Sequence, residues 1–137
     1  MKNISVEELK EQAKELRKIA LEMIYTAQSG HPGGAFSAAD MVTALYFREM
    51  NIDPKNPKWA DRDRFVLSKG HVCPIIYAAL AKLGYFPYDT IYTLRKEGSM
   101  LQGHPSMTKC PGIDISTGSL GQGLSVAVGM AIAGKRD

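Results

Sequence analysis

The chain has 137 residues, of which 45% are hydrophobic and 23% charged, and its formal net charge is +3. This length and composition are typical of one globular domain with a core of its own. Basic and acidic residues are mixed along the sequence, which argues against nucleic-acid binding, and no apolar run is long enough to cross a bilayer. The charged N-terminus lacks the apolar core of a signal peptide, so we expect a cytoplasmic protein that binds neither nucleic acid nor membrane.

The N-terminal region carries the clearest helix signal. Ser5 and Glu8 form a capping box, in which each side chain accepts a backbone N–H at the helix start. Apolar residues then recur at helical spacing from Val6 to about Gln28, and Gly30 is predicted to end the helix. The opposite face carries charged i,i+3 pairs worth only ~0.2–0.5 kcal/mol each, so this face is interpreted as solvated surface.

A glycine-rich segment, SGHPGG (residues 29–34), follows the first helix and is predicted to be a loop, because three glycines and a proline disfavour a helix. Ser37 and Asp40 fit a second capping box, which predicts a helix that starts there and runs to about Met50. The polar stretch 51–63 contains two prolines and is predicted to be irregular.

The middle of the chain reads as a strand followed by a helix. Residues 64–68 (RFVLS) are predicted to form a short buried strand that leads directly to His71. Pro74 suits the first turn of the next helix, and Gly84 is predicted to end it. A short helix capped by Asp89 is expected to follow. His71 would then lie just outside the carboxyl end of a strand, the usual ligand position in open α/β sheets.

The stretch IDISTGSLGQGLSVAVG (residues 113–129) predicts a second strand, a sharp turn and a helix. Gly118, Gly121 and Gly123 allow the backbone to turn and to approach a ligand closely. The free N–H groups of a helix start suit an anion or a polar heterocycle. Taken alone, however, this weak motif favours a strand-to-helix turn with no ligand. Small residues at every fourth position, up to Gly129, predict a helix that packs centrally.

Three histidines, His31, His71 and His104, each follow a glycine and are each predicted on a loop. A single loop histidine is usually no more than a hydrogen-bonded residue. Three imidazoles at turns can bind phosphate or sugar hydroxyls and can move protons near neutral pH, which indicates a site. A zinc site is disfavoured, because zinc sites usually place two ligands on one turn or helix and these residues are far apart in sequence.

The two cysteines, Cys73 and Cys110, are predicted to be reduced thiols, since neither belongs to a C-x-x-C pair. Cys73 lies close to His71 at a predicted helix start, where a thiol can be activated as a nucleophile. No orienting acid is evident beside these two residues, so a structural thiol is the favoured interpretation.

The order helix, helix, strand, helix, short helix, strand, helix predicts an α/β fold with a parallel sheet flanked by helices. Two strands do not make a stable sheet, so the sheet is expected to be incomplete, with at least one more strand after residue 137.

Four motifs, taken together, resemble those of the transketolase family, in its order and at its spacing. They are SGHPGG (29–34), SKGH (68–71), GHP (103–105) and STGSLGQGLSVAVGMA (116–131). The sister family, deoxyxylulose-5-phosphate synthase, typically has Leu after the first Gly-His, so Pro32 favours transketolase. The resemblance implies that residues 1–137 are the N-terminal part of a thiamine-diphosphate-binding transketolase domain, with an incomplete diphosphate-type fold.

The resemblance implies transfer of a two-carbon ketol unit from a ketose phosphate to an aldose phosphate, a step of carbohydrate metabolism in the pentose phosphate pathway. His31 and His104 would contact the hydroxyls of the donor sugar and help to handle protons. His71 would support the diphosphate and the reacting end of thiamine diphosphate. Three residues of the glycine-rich turn would meet the aminopyrimidine of the cofactor: Gly118, Ser119 and Leu120.

The resemblance also implies that important parts lie elsewhere. The family's Mg²⁺ motif, Gly-Asp-Gly followed by Asn, is expected beyond residue 137, and a catalytic glutamate is expected from a C-terminal partner subunit. We therefore expect a truncated N-terminal subunit that forms homo-oligomers, self-associates through uncovered surface and is inactive alone. Two alternatives are a non-catalytic interaction domain and a fragment similar to deoxyxylulose-5-phosphate synthase.

Overall fold

The computed structural model describes residues 4–136, which form four α-helices joined by tighter turns and irregular segments. No helix in this part of the chain is both long enough and apolar enough to span a membrane. The α-helices are α1 (Val6–Ala27), α2 (Pro32–Ala44), α3 (Cys73–Leu83) and α4 (Gln122–Ala133). The tighter turns are a π-helical turn (Leu45–Glu49) and two 3-10 segments (Gly70–Val72 and Tyr88–Thr93).

Helix α1 confirms the predicted capping box at its start. The backbone N–H of Ser5 donates to the Glu8 carboxylate over 2.8 Å, and the Glu8 N–H donates to the Ser5 hydroxyl over 3.2 Å. The helix ends at Gln28 rather than at the predicted Gly30. Gln28 adopts a left-handed φ of 50°, and its side-chain amide donates to the Tyr25 carbonyl over 2.6 Å. This local hydrogen bond lets a residue other than glycine cap the helix.

Helix α2 begins at Pro32, so the prediction of a loop followed by a helix start at Ser37 is wrong. Proline at the first helical position has a suitable φ and lacks an N–H that would be unsatisfied there, which outweighs the neighbouring glycines. The proposed capping residues have other partners. The Ser37 hydroxyl donates to the Gly34 carbonyl over 2.9 Å, and the Asp40 carboxylate accepts two hydrogen bonds from Arg17 of α1.

Helix α3 is the centre of the core, and nine of its eleven residues are buried. Pro74 lies in its first turn, and Gly84 ends it with a left-handed φ of 84°, both as predicted. Helices α1 and α2 pack against it, together with the 3-10 segment Tyr88–Thr93. Each buried aliphatic side chain contributes roughly 1.5–3 kcal/mol, so α3 contributes a large share of the stability.

The short helix predicted with Asp89 as its cap is a 3-10 segment whose N-cap is Pro87. Asp89 instead lies within its first turn. Arg95, which was predicted to lie in this helix, has a left-handed φ of 62° and lies beyond it. Right-handed helices do not continue through such a residue. The stretch 51–63 contains only turns and irregular backbone, as predicted.

Residues 4–136 contain no β-strand, so the predicted parallel sheet is not formed within them. The two predicted strand segments do lie side by side, but side chains join them. The Asp114 carboxylate accepts the Phe65 N–H over 2.9 Å, and the Thr117 hydroxyl donates to the Leu67 carbonyl over 2.6 Å. The Asp114 and Thr117 side chains thus occupy backbone N–H and C=O groups that would otherwise be available for hydrogen bonds between strands. In addition, two parallel segments alone do not form a stable sheet.

Helix α4 was predicted to be central, but within the described chain it lies on the surface. Gly123 is its only buried residue, and a Cβ built there would lie 2.8 Å from the Ser68 Cα. The side chains of Leu124, Val128 and Ile132 are 67%, 51% and 52% exposed. This part of the protein therefore presents an apolar helix to solvent.

Candidate functional site

Three histidines that are distant in sequence converge at the ends of three segments. His31 is the N-cap of α2, His71 lies in the 3-10 segment before α3, and His104 lies in an irregular loop. The rings of His31 and His71 meet edge to face, with centroids 4.9 Å apart and an interplanar angle of 71°. A Cβ at Gly118 would lie 3.5 Å from Cδ2 of His104. The histidine cluster thus borders the glycine-rich turn.

The environment of His71 favours its neutral form. Burial lowers the pKa of His71, and the positive charges of His31, His104 and Lys69 lower it further. A neutral imidazole has one donor nitrogen and one acceptor nitrogen. His71 can therefore both donate and accept a hydrogen bond at neutral pH.

Two glycines allow the backbones around His71 to approach each other closely. A Cβ at Gly70 would lie 2.5 Å from the Thr117 carbonyl oxygen, and a Cβ at Gly34 would overlap the Val72 side chain. Any larger residue at either position would push a site segment away from His71. These glycines therefore set the spacing of the cluster.

Lys69 joins the first turns of α2 to the segment that carries His71. Its ammonium group donates to the Ser37 hydroxyl over 3.1 Å and lies 3.4 Å from the Gly34 carbonyl oxygen. In the sequence Lys69 stands out only as one residue of the SKGH motif. Its contacts cross more than thirty residues of chain, and no local pattern indicates them.

The glycine-rich turn presents its backbone to solvent, next to the histidines. Gly121 is the N-cap of α4 with a left-handed φ of 83°, and no side chain caps this helix start. Ser119 and Leu120 are exposed, with Leu120 at 69%. The N–H groups of Gln122 and Leu124 donate to the carbonyls of Ser119 and Gly121 over 3.3 and 3.2 Å. Binding of a polar ligand at this helix start stays a prediction.

Two alternatives raised by the sequence find no support in the described residues. Within residues 4–136 no group of three or more His, Cys, Asp or Glu side chains is arranged to hold a metal ion. Cys73 and Cys110 are free and buried. Burial raises the pKa of the Cys73 thiol to about 12, which agrees with the favoured interpretation of Cys73 as a structural thiol.

Comparison with known proteins identifies the family of this chain. Residues 9–137 match the family described as "Transketolase, thiamine diphosphate binding domain". The match, together with the histidine cluster and the glycine-rich turn, defines a thiamine-diphosphate-binding domain of the N-terminal type. The chain belongs to the transketolase family.

Individual relatives are similar over nearly the whole chain. The 6-deoxy-6-sulfo-D-fructose transketolase subunit SqwG of Clostridium sp. (strain MSTE9) is 53% identical over 130 residues, covering 95% of this chain and 47% of its own length. An apulose-4-phosphate transketolase subunit of Phocaeicola vulgatus is 46% identical over 134 residues, covering 98% of this chain and 47% of its own length. The chain therefore spans about half the length of these two relatives.

Solved structures show the same relationship. The transketolase of Leishmania mexicana superimposes with a TM-score of 0.88 at 40% identity, over 91% of this chain and 19% of that one. Its similarity supports the thiamine-diphosphate-binding fold.

Proposed function

We propose that this chain is the thiamine-diphosphate-binding part of a transketolase, which transfers a two-carbon ketol unit from a ketose phosphate to an aldose phosphate. The observation that carries the proposal is the convergence of His31, His71 and His104 beside the Gly118 turn, in a chain of this family.

The residues present fit the cofactor. The turn is exposed and no side chain covers the start of α4, so the backbone there is open to a polar heterocycle. Gly118, Ser119 and Leu120 would hold the aminopyrimidine, and His71 would support the diphosphate and the reacting end. Thiamine diphosphate supplies carbanion chemistry when it is bound, while the protein supplies position and electrostatics.

His31 and His104 would act on the donor sugar. Both side chains are exposed, and both lie close enough to His71 for their charges to lower its pKa. Imidazoles in this position can bind sugar hydroxyls and can accept or return a proton at the reacting carbons. His71, which is held neutral, would donate a hydrogen bond without adding a charge beside them.

Further components belong to the proposal. The Mg²⁺ ligands are expected beyond residue 137, and a C-terminal partner subunit would complete the site. The names of the two relatives, each of which is called a transketolase subunit, support a partner. The exposed apolar face of α4 supports additional packed protein and a homo-oligomer. The free cysteines support a cytoplasmic protein.

The test is a titration of thiamine diphosphate and Mg²⁺ into the product of the native gene, whose intact mass is measured first. We expect saturable binding, and ketol transfer when the C-terminal subunit is added. A panel of ketose phosphates and a sulfonated ketose would identify the donor, since the two relatives are named for different sugars.

A matched pair of variants assigns the site. His104→Asn should abolish most transfer and leave cofactor binding nearly unchanged, whereas Lys109→Ala, an exposed residue of the same irregular region, should leave both unchanged. Absence of cofactor binding by the complete gene product would contradict the proposal and favour a non-catalytic interaction domain.

A further inference from the structure

We propose that Tyr77 and Cys73 are positioning residues for His104, and that α3 thereby fixes two of the three site histidines at once. The inference rests on the proposed function, because it assigns a role in that site. His104 lies in a loop without regular secondary structure, so its position must be set by contacts from elsewhere.

Three consecutive carbonyl groups of this loop receive donors from α3. The Tyr77 hydroxyl has one hydrogen, which is shared between the Gln102 carbonyl at 3.0 Å and the His104 carbonyl at 3.3 Å. The Cys73 thiol likewise shares its one hydrogen between the Gly103 carbonyl at 3.3 Å and the Gln102 carbonyl at 3.5 Å. The backbone on both sides of the Gly103–His104 peptide bond is therefore tied to one helix.

Burial keeps both donors protonated. Tyr77 is 0% exposed and Cys73 is 1% exposed. Burial raises the pKa of Tyr77 well above its usual range and that of Cys73 to about 12. Both groups therefore keep the hydrogen that they donate at any physiological pH.

The helix that supplies these donors also positions His71. Cys73 and Tyr77 are four residues apart, so they lie on the same face of α3 and meet the same loop. The helix begins directly after the 3-10 segment Gly70–Val72, which contains His71. The relative position of His71 and His104 is thus set through one buried element. A displacement of about 1 Å in such a site can cost about 100-fold in rate.

A second buried tyrosine provides a matched control. Tyr46 is 2% exposed and packs edge to face on Phe65, with ring centroids 5.5 Å apart. Tyr46 lies in the π-helical turn Leu45–Glu49, a different element from α3. Tyr46→Phe and Tyr77→Phe remove the same atom from the same kind of environment, but only the second change touches the His104 loop.

The experiment uses the full-length subunit with its partner subunit. Tyr77→Phe should lower kcat by about 10-fold or more, with little change in the affinity for thiamine diphosphate. It should also shift the NMR ring signals of His104 and leave those of His31 in place. Tyr46→Phe should change neither kcat nor the NMR ring signals of His104. Cys73→Ser keeps a donor and should retain more activity than Cys73→Ala.

Equal kcat values for Tyr77→Phe and Tyr46→Phe, or His104 signals that do not move in Tyr77→Phe, would overturn the inference. If the parent enzyme shows no ketol transfer, the proposed function fails, and the His104 signals then decide the positioning claim alone. The two failures are therefore distinguishable.

Discussion

Helices α3 and α4 have similar compositions and very different surroundings. Both are short, both consist mainly of small and apolar residues, and both begin directly after a site segment. Nine residues of α3 are buried, whereas Gly123 is the only buried residue of α4. Local sequence accounts for both helices, but only the packing of other elements decides which one is covered. We propose that more protein packs on the uncovered apolar helix.

This difference has a consequence for the site. Helix α3 is buried, and it is joined to the segments that carry His71 and His104, so the backbones of these two residues are held by the described chain itself. The turn at Gly118 is followed by α4, which lies on the surface. We therefore expect His71 and His104 to keep their positions in the 137-residue chain, and the position of the Gly118 turn to depend on additional protein.

The largest expected contrast is between one leucine in each helix. Leu80 is 0% exposed in α3, so Leu80→Ala should lower the free energy of unfolding of the 137-residue chain by about 2–5 kcal/mol. Leu124 is 67% exposed in α4, so Leu124→Ala should change it by less than about 0.5 kcal/mol. Urea denaturation measures both values. Similar losses for the two variants would show that α4 is as well packed as α3.

Gly129 lies on the small-residue face of α4. A Cβ at Gly129 would meet no atom within 4 Å, so Gly129→Ala should stabilise the 137-residue chain by up to about 1 kcal/mol through helix propensity. In the complete subunit with its partner the same change should destabilise, because a covered small face has no room for a methyl group. Thermal denaturation of both forms is the measurement. Stabilisation in both would argue that nothing packs on this face.

The smallest expected effect is a pH dependence of the free energy of unfolding, caused by His71 next to α3. The pKa of His71 is lower in the folded protein than its ordinary value of 6.5, so the unfolded chain binds more protons. The contribution of neutral His71 to the free energy of unfolding is therefore complete above about pH 6.5, and it decreases as the pH drops from there towards the pKa of His71 in the folded protein. His71→Asn should flatten this slope in denaturation curves recorded from pH 5 to 7. An unchanged slope would assign the dependence to another group.

Features with local causes were predictable from the sequence. The capping box at Ser5 and Glu8, Pro74 in a first turn and Gly84 at a helix end depend on residues within a few positions of each other. The start of α2 was missed because Pro32 favours a helix start more strongly than its neighbouring glycines disfavour one.

Features with distant causes were not predictable. The segments predicted as strands are joined by Asp114 and Thr117, whose partners lie about fifty residues away. The grouping of the three histidines was anticipated from the family's motifs, and their convergence follows from the packing of α2 and α3. The supports of the cluster, Lys69 and Tyr77, act on residues 25 or more positions away, and no pattern in the sequence marks them.

The most direct test of the account is amide hydrogen exchange in α4, recorded for the 137-residue chain and for the complete subunit with its partner. We expect fast exchange in α4 of the isolated chain, slow exchange in α3 of both forms, and strong protection of α4 in the complete assembly. Exchange in α4 that remains fast in the complete assembly would contradict the claim that further protein covers this helix and supports the cofactor turn.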